Sequence, residues 1–255
     1  MSNVAFRVPC VLLQILSCAL LFGQASEYDS IYSGKDGVPF PREPNQFLVE
    51  MTKGRKPGRA LDVGMGQGRN SIYLAGQGWD VTGFDASGEG VRRAGAEAAR
   101  LGVRLSALVA TFDQFDFGES RWDLIVLTYE PTRKIAPRVQ RALKPGGILV
   151  AEDRHMDTKR VWPEGGLLRD NELPSLFPGL RVIRYEDVWA VPDWQAMRLK
   201  ERLVRLCAEK PETSKPGCIW EGHAVPPGGT ACWDKSVKFR CAMDGWQFTR
   251  EKCDR

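Results

Sequence analysis

Three glycines between two aspartates are the residues of this chain best placed to do chemistry. Leu61-Asp62-Val63-Gly64-Met65-Gly66-Gln67-Gly68-Arg69-Asn70-Ser71 reads as a short apolar strand, a glycine-rich turn and the start of a helix. Gly64, Gly66 and Gly68 let the backbone approach a ligand and take conformations closed to other residues. A second apolar run, Trp79 to Phe84, ends in Asp85, 23 positions after Asp62. An acidic residue at that remove reaches the diol of a ribose whose other end rests on the turn. The pairing suits a nucleoside-containing ligand held at the carboxyl ends of parallel strands. A glycine turn that only packs a helix on a strand is the alternative without a ligand.

A second set of candidates follows two later apolar runs: Thr128, Tyr129 and Glu130 after one, Asp153, Arg154 and His155 after the other. Tyr129 either lines a reaction site or simply ends its strand. His155 is one of two histidines, the residue type that moves protons near neutral pH; the competing reading is a histidine on a surface loop. Cys207, set in Leu-Val-Arg-Leu-Cys-Ala, reads as a buried strand thiol rather than a nucleophile.

The elements that must position these residues alternate. Arg59 to Val63, Trp79 to Phe84, Arg104 to Val109, Trp122 to Thr128 and Ile148 to Glu152 are strand candidates. Between them lie helices over Arg69 to Gly76, Gly90 to Leu101 and Ile135 to Leu143, the last stopped by Pro145-Gly146-Gly147. Strands that alternate with helices at this spacing pair in parallel, since each crossover needs a helix to return the chain. Farther on, Asn171 to Phe177 predicts a short helix, Leu180 to Val188 a strand, and Met197 to Glu209 a strand or strand pair. Pro44 to Met51 predicts a short amphipathic helix with Phe47, Leu48 and Met51 on one side, after an irregular arm over Ser26 to Glu43.

Four segments in order carry a family resemblance: Ala60 to Gly68, Val81-Thr82-Gly83-Phe84-Asp85-Ala86-Ser87, Trp122-Asp123-Leu124-Ile125-Val126, and Ala142-Leu143-Lys144-Pro145-Gly146-Gly147-Ile148-Leu149-Val150. Together they resemble the successive motifs of class I S-adenosylmethionine-dependent methyltransferases, most closely the small-molecule group with tellurite-resistance and thiopurine methyltransferase-like proteins. The resemblance implies an α/β, doubly wound, mostly parallel seven-stranded sheet, with S-adenosyl-L-methionine as cofactor and a small molecule as methyl acceptor. It implies that the backbone of Gly64, Gly66 and Gly68 cradles the amino-acid end of the cofactor, with Asp62 near its ammonium. Asp85 would accept from the ribose hydroxyls, Ala86 would lie against the adenine, and Asn70 would brace the loop. The family often carries an acidic residue just after the third strand; Thr111 stands there, so adenine contact falls to Thr111 and Phe112. Thr128 would complete the cofactor site, and Tyr129 and His155 are the catalytic candidates. An NAD site uses the same physics, but the spacing is G-x-G-x-G rather than G-x-G-x-x-G, and the Leu-Lys-Pro-Gly-Gly turn belongs to methyltransferases.

The two ends differ from this domain, placed at residues 58–211. Residues 1–25 hold an almost unbroken apolar run from Val8 to Phe22 followed by Gly23, Gln24 and Ala25, the layout of a secretory signal peptide. The run is short of the roughly 20 residues a bilayer-spanning helix needs, so contact with a membrane is expected only through this segment. Export to the periplasm or the outside follows, or a cytoplasmic location if the signal is not used. Residues 26–57 are the arm and helix, and residues 212–255 a cysteine-rich appendage. Cys218, Cys232, Cys241 and Cys253 contain no C-x-x-C spacing, which favours two disulfides over a zinc site, so no metal is expected. Trp189, Trp194, Trp220, Trp233 and Trp246 are expected to supply a core rather than exposed platforms. The 36 basic and 32 acidic residues are scattered, with a formal net charge of +4, which leaves no electrostatic footprint for nucleic acid. S-adenosylmethionine is made and kept inside cells, so the alternative to an enzyme is an exported binding protein that uses the same fold to hold a nucleoside-like ligand without catalysis.

Overall fold

The computed structural model describes residues 28–33, 41–158, 167–193 and 198–212, and in the tail 218–220, 223–225, 229–233, 237–242 and 245–249. The expected signal segment lies outside them. The chain divides into two compact units, Met1–Lys210 and Pro211–Arg255. Among the described residues no helix is long and apolar enough to cross a membrane.

The first unit is built on a seven-stranded sheet. Its strands are β1 (Arg59–Val63), β2 (Asp80–Asp85), β3 (Leu105–Val109), β4 (Trp122–Thr128), β5 (Leu143–Arg154), β6 (Arg181–Ala190) and β7 (Glu201–Glu209). The order across the sheet is β3-β2-β1-β4-β5-β7-β6. β1 to β5 pair in parallel, and β7 runs antiparallel between β5 and β6. After β3 the chain returns to lay β4 on the free side of β1. Strand order reverses there, and the carboxyl ends of β1 and β4 open a crevice.

The helices are α1 (residues 28–33), α2 (Gln46–Thr52), α3 (Arg69–Gly76), α4 (Gly88–Leu101), α5 (Thr132–Ala142) and α6 (Glu172–Ser175). Side chains alternate along β1, so Leu61 and Val63 join a core with Phe84, Ile125, Ile135 and Val139, while Ala60 joins another with Phe47, Leu48, Leu74 and Val126. A sheet covered on both faces explains why Leu124, Ile125, Val126 and Leu127 of β4 are all apolar and buried. α4 is capped at both ends as its sequence dictates: Ser87 Oγ accepts from Gly90 N at 3.0 Å, and Gly102 closes it with φ 69°.

Four expectations need correction. Residues 28–33 of the arm are helical, not irregular; Asp29 Oδ1 accepts from Glu89 N at 3.0 Å and Tyr32 is buried, so tertiary contact rather than local propensity forms this single turn and a half. α5 begins at Thr132, three residues before the predicted start, and β5 begins at Leu143 because Trp122 pairs with Leu143 across a bulge. Gly147 sits within that stretch because a Cβ there would stand 2.8 Å from Trp122 O. Trp189 is 59% exposed on β6 rather than part of a core; Trp194 and the side chains of Trp220, Trp233 and Trp246 lie outside the described residues.

The second unit holds β8 (Cys218–Trp220) paired with β9 (His223–Val225), and a three-stranded antiparallel sheet of β10 (Thr230–Trp233), β11 (Val237–Ala242) and β12 (Gly245–Phe248). Cys207 on β7 is a free, buried thiol whose pKa burial pushes up to about 11, which leaves it inert as a nucleophile.

Candidate functional site

The crevice between β1 and β4 is floored by the turn over residues 64–68. Gly64, Gly66 and Gly68 all have left-handed backbones, with φ of 64°, 55° and 82°. Each glycine answers to a different neighbour. A Cβ on Gly64 would run into Glu130 Oε1, one on Gly66 into the Tyr32 hydroxyl, and one on Gly68 would stand 2.7 Å from Ala94 Cβ. The first two therefore face the groove and the third packs α3 against α4. Met65 N donates to Phe84 O at 3.0 Å and Gly66 N donates to Asp85 Oδ2 at 2.8 Å, which pins the turn to the end of β2.

Asp85 accepts a second backbone bond at Oδ1, from Ser87 N at 2.8 Å. Both oxygens keep a further lone pair, so the ribose role the resemblance implies remains open to it. Burial is the main cause of its raised pKa. Asp62 is 1% exposed; its Oδ2 accepts from Ser71 Oγ at 2.6 Å, and its Oδ1 has no hydrogen-bond partner among the described residues. Burial pushes its pKa up to about 6. An orphaned buried acceptor of this kind costs roughly 1–3 kcal/mol and fits the ammonium of the implied cofactor.

Two more carboxyls join them. Asp153 at the end of β5 is buried, accepts among the described residues only from its neighbour Arg154 N at 2.7 Å, and is pushed up to about 7 by that burial. Glu130, just past β4, lays its carboxyl on Gly64, and burial together with Asp85, Asp153 and Asp62 holds its pKa well above the usual carboxylate range. Tyr32 is also raised, by burial and then by Asp85 and Glu130. The groove is thus strongly acidic.

The remaining sequence candidates distribute around it. Asn70 Oδ1 accepts from Asn45 N at 2.9 Å and its Nδ2 donates to Thr128 Oγ1 at 3.2 Å, so both Asn70 and Thr128 brace the loop against the end of β4. Ala86 is half-buried at the end of β2. Thr111 spends its hydroxyl on Gln114 Oε1 at 3.1 Å, and Phe112 packs edge-on to Phe84 with centroids 6.0 Å apart. Asp113 turns away to Lys134 at 2.8 Å.

Tyr129 stands at φ 64°, a left-handed conformation that costs a non-glycine residue of order 1–3 kcal/mol and gathers at functional sites. Its hydroxyl donates to Glu152 Oε1 and its N donates to Glu152 O at 2.9 Å. Glu152 in turn accepts from Asn45 Nδ2 at 3.0 Å and Arg205 Nε at 2.5 Å, and Asn45 Nδ2 also donates to Asp193 Oδ2 at 2.8 Å. Arg69 closes the circuit on Asp193 Oδ1 at 2.8 Å. This network fixes the far wall of the groove. Asn45, Arg205 and Asp193 were absent from the sequence candidates; a carboxylate ending the apolar run of β5 was the available signal, since a buried acid needs partners.

His155 is 3% exposed and so not a surface-loop histidine. Its N donates to Arg202 O at 2.8 Å, Nδ1 accepts from Asp157 N at 3.1 Å, and Nε2 stands 3.2 Å from Asp170 Oδ1. His155, Asp170 and Asp187 bring ligand-type atoms within 4.8 Å of one another. Arg202 already supplies positive charge there, donating to Asp187 Oδ1 at 2.7 Å, to Asp170 Oδ1 at 2.8 Å and to Asp157. These contacts bind the edge of the sheet together and involve none of the glycine-turn residues.

Comparison with known proteins agrees with this geometry. Residues 60–147 match the family model described as a methyltransferase domain. The chain is 32% identical over 120 residues to the ribosomal RNA small subunit methyltransferase C of Alcanivorax borkumensis, covering 42% of this chain and 36% of that one. It is 24% identical over 174 residues to a probable S-adenosyl-L-methionine-dependent methyltransferase, TehB, of Haemophilus influenzae, covering 64% and 61%. The crystal structure of TehB from Haemophilus influenzae superposes with a TM-score of 0.59 at 21% identity, over 72% of this chain and 67% of that one. The chain therefore spans only 36% to 61% of the length of these curated relatives.

Sheet order, glycine turn and matched family define a class I S-adenosylmethionine-dependent methyltransferase domain. Over the greater part of its first unit the chain is similar to TehB, whose printed name is that of a probable S-adenosyl-L-methionine-dependent methyltransferase.

Proposed function

We propose that the protein transfers a methyl group from S-adenosylmethionine to a small-molecule acceptor. One observation carries the reading: Asp62, Asp85, Glu130 and Asp153 converge on the groove over Gly64 and Gly66. Such a groove attracts a cation and repels an anion. S-adenosylmethionine carries an ammonium and a sulfonium, whereas the pyrophosphate of a dinucleotide would be placed among four acids. The same charge disfavours a polyanionic acceptor such as RNA, although one relative is a ribosomal RNA methyltransferase by name.

Bound in the groove, the cofactor supplies an electrophilic methyl group. The chain's part is to hold and orient: the glycine turn takes the backbone contacts, Asp62 and Asp85 fix the two ends, and the Asn45–Glu152–Tyr129 network holds the wall beyond β4 rigid. Positioning of this kind supplies much of the rate when the nucleophile needs no activation. Tyr129 acts through its placement, its hydroxyl being given to Glu152.

Export through residues 1–25 and closure of the tail by two disulfides extend the proposal. The clustering of Cys218, Cys232, Cys241 and Cys253 in the last 40 residues supports an oxidising destination. The test is transfer of a labelled methyl group to a panel of small acceptors and to ribosomal RNA. Label in a small acceptor that disappears in Asp85→Ala supports the reading; label only in RNA, or none with any acceptor, contradicts it.

A further inference from the structure

The glycine turn is covered by the chain's own N-terminal arm. The Tyr32 hydroxyl lies on Gly66: a Cβ there would run into it and would stand 2.8 Å from the ring carbon that bears it. The same ring meets α4, where a Cβ on Gly90 would lie 3.0 Å from Tyr32 Cδ2. Tyr32 is 8% exposed and shares the groove with Asp85 and Glu130. Gly66 N is bonded to Asp85 Oδ2 at 2.8 Å, so a ligand that runs from Gly64 to the Asp85 carboxyl passes over Gly66 and needs the space the ring fills. The ring is carried by α1, residues 28–33, too short a helix to form by itself. Contacts with the start of α4 hold it. Asp29 Oδ1 accepts from Glu89 N at 3.0 Å and from Ser87 Oγ, and Ser33 O accepts from Arg93 Nη2 at 3.0 Å. None of these groups belongs to the glycine turn, so α1 can leave without unmaking it.

We propose that α1 is a gate that closes the empty groove, with Tyr32 as its plug and Asp29 as its latch, and that S-adenosylmethionine binds only once the gate has opened. The inference rests on the functional reading above. A short element held by a few bonds opens locally at small cost, while the sheet and the turn stay folded. The apparent affinity is then the intrinsic affinity reduced by the fraction of molecules that stand open. Loosening the latch raises that fraction and tightens binding. A lid that clasped the bound cofactor would behave in the opposite way, because loosening it would take contacts from the complex.

The experiment is titration calorimetry of the full chain with S-adenosylmethionine, joined to amide hydrogen exchange read over residues 28–33 and over residues 64–68. Asp29→Ala removes the acceptor of Glu89 N and Ser87 Oγ and should tighten binding by about tenfold, roughly 1.4 kcal/mol. Tyr32→Ala empties the space over Gly66 and should tighten it as well, whereas Asp29→Asn, which keeps an acceptor oxygen, should stay close to wild type. In wild type the ligand should slow exchange in the turn and speed it in α1. A cooperative unfolding transition retained in each variant certifies the fold. Unchanged or weaker binding in both Asp29→Ala and Tyr32→Ala, or slower exchange in α1 when the ligand binds, would overturn the gate; protection of the turn in the same samples would leave the cofactor reading intact. No binding to wild type or to either variant, with exchange in the turn unchanged, overturns both.

Discussion

Asn45 Nδ2 stands 3.0 Å from Glu152 Oε1, so the residue that caps α2 also supports the buried carboxylate at the end of β5. One side chain thereby ties the N-terminal helix to the wall of the groove. Asn45→Ala removes the cap bond to Leu48 N, worth roughly 0.5–2 kcal/mol, and strips a partner from a buried acid, worth roughly 1–3 kcal/mol. Denaturant unfolding should show a loss of about 2 kcal/mol or more. Asn45→Asp keeps the cap but sets a third acid beside Glu152 and Asp193, and should be no better than alanine.

Asp85→Ala should weaken S-adenosylmethionine binding at least about tenfold and loosen the turn, because Gly66 N and Ser87 N lose their acceptor. Asp85→Asn keeps an acceptor oxygen and should hold the turn while still losing affinity. Equal affinity in wild type and Asp85→Ala by equilibrium dialysis would mean that the ribose lies elsewhere.

Gly66→Ala carries two separable costs: left-handed strain of roughly 1–2 kcal/mol and a collision with the Tyr32 hydroxyl. Tyr32→Ala should recover the second and not the first. A double-mutant cycle on unfolding free energy reads this as a non-zero coupling between residues 34 positions apart in sequence; simple additivity would show that Tyr32 does not rest on the turn.

The raised acids make a pH prediction with a definite sign. Asp153 moves from an ordinary 3.8 to about 7 and Asp62 from 3.8 to about 6. A raised folded-state pKa contributes stability that is complete below the unfolded value and is lost as pH rises through the folded one. The unliganded protein should therefore lose thermal stability between about pH 4 and about pH 7. Asp153→Asn should flatten the upper part of that fall. Glu89 and Glu172, both lowered to about 2 by arginine partners, act in the opposite sense, below about pH 4.5. A melting temperature that rises from pH 5 to pH 7 in the wild type would contradict the assignment.

The sheet was legible because its signals are local. Leu61 to Val63 and Leu124 to Leu127 are continuous apolar runs, Gly102 stops α4, and Asp62 and Asp85 end their strands beside a glycine turn. What sequence could not show depends on distance along the chain. Asn45 meets Glu152 across 107 positions and Arg205 meets it across 53, and no periodicity announces either meeting. Glu130 read as one of three polar residues after a strand; only the fold lays it on Gly64. His155 read either as a base or as a surface-loop histidine; the ring is buried and turns toward Asp170, away from the glycine turn. Trp189 shows the reverse, an aromatic residue exposed on an edge strand.

The central claim is that the acidic groove over Gly64 and Gly66 selects the cationic cofactor. Equilibrium binding of S-adenosylmethionine and of NAD to the purified protein, with its cysteines oxidised, tests it most directly. Micromolar binding of S-adenosylmethionine, on the order of −8 kcal/mol, is expected, and none of NAD at the same concentrations. Binding of NAD, or no binding of S-adenosylmethionine by protein with an intact cooperative unfolding transition, would contradict it.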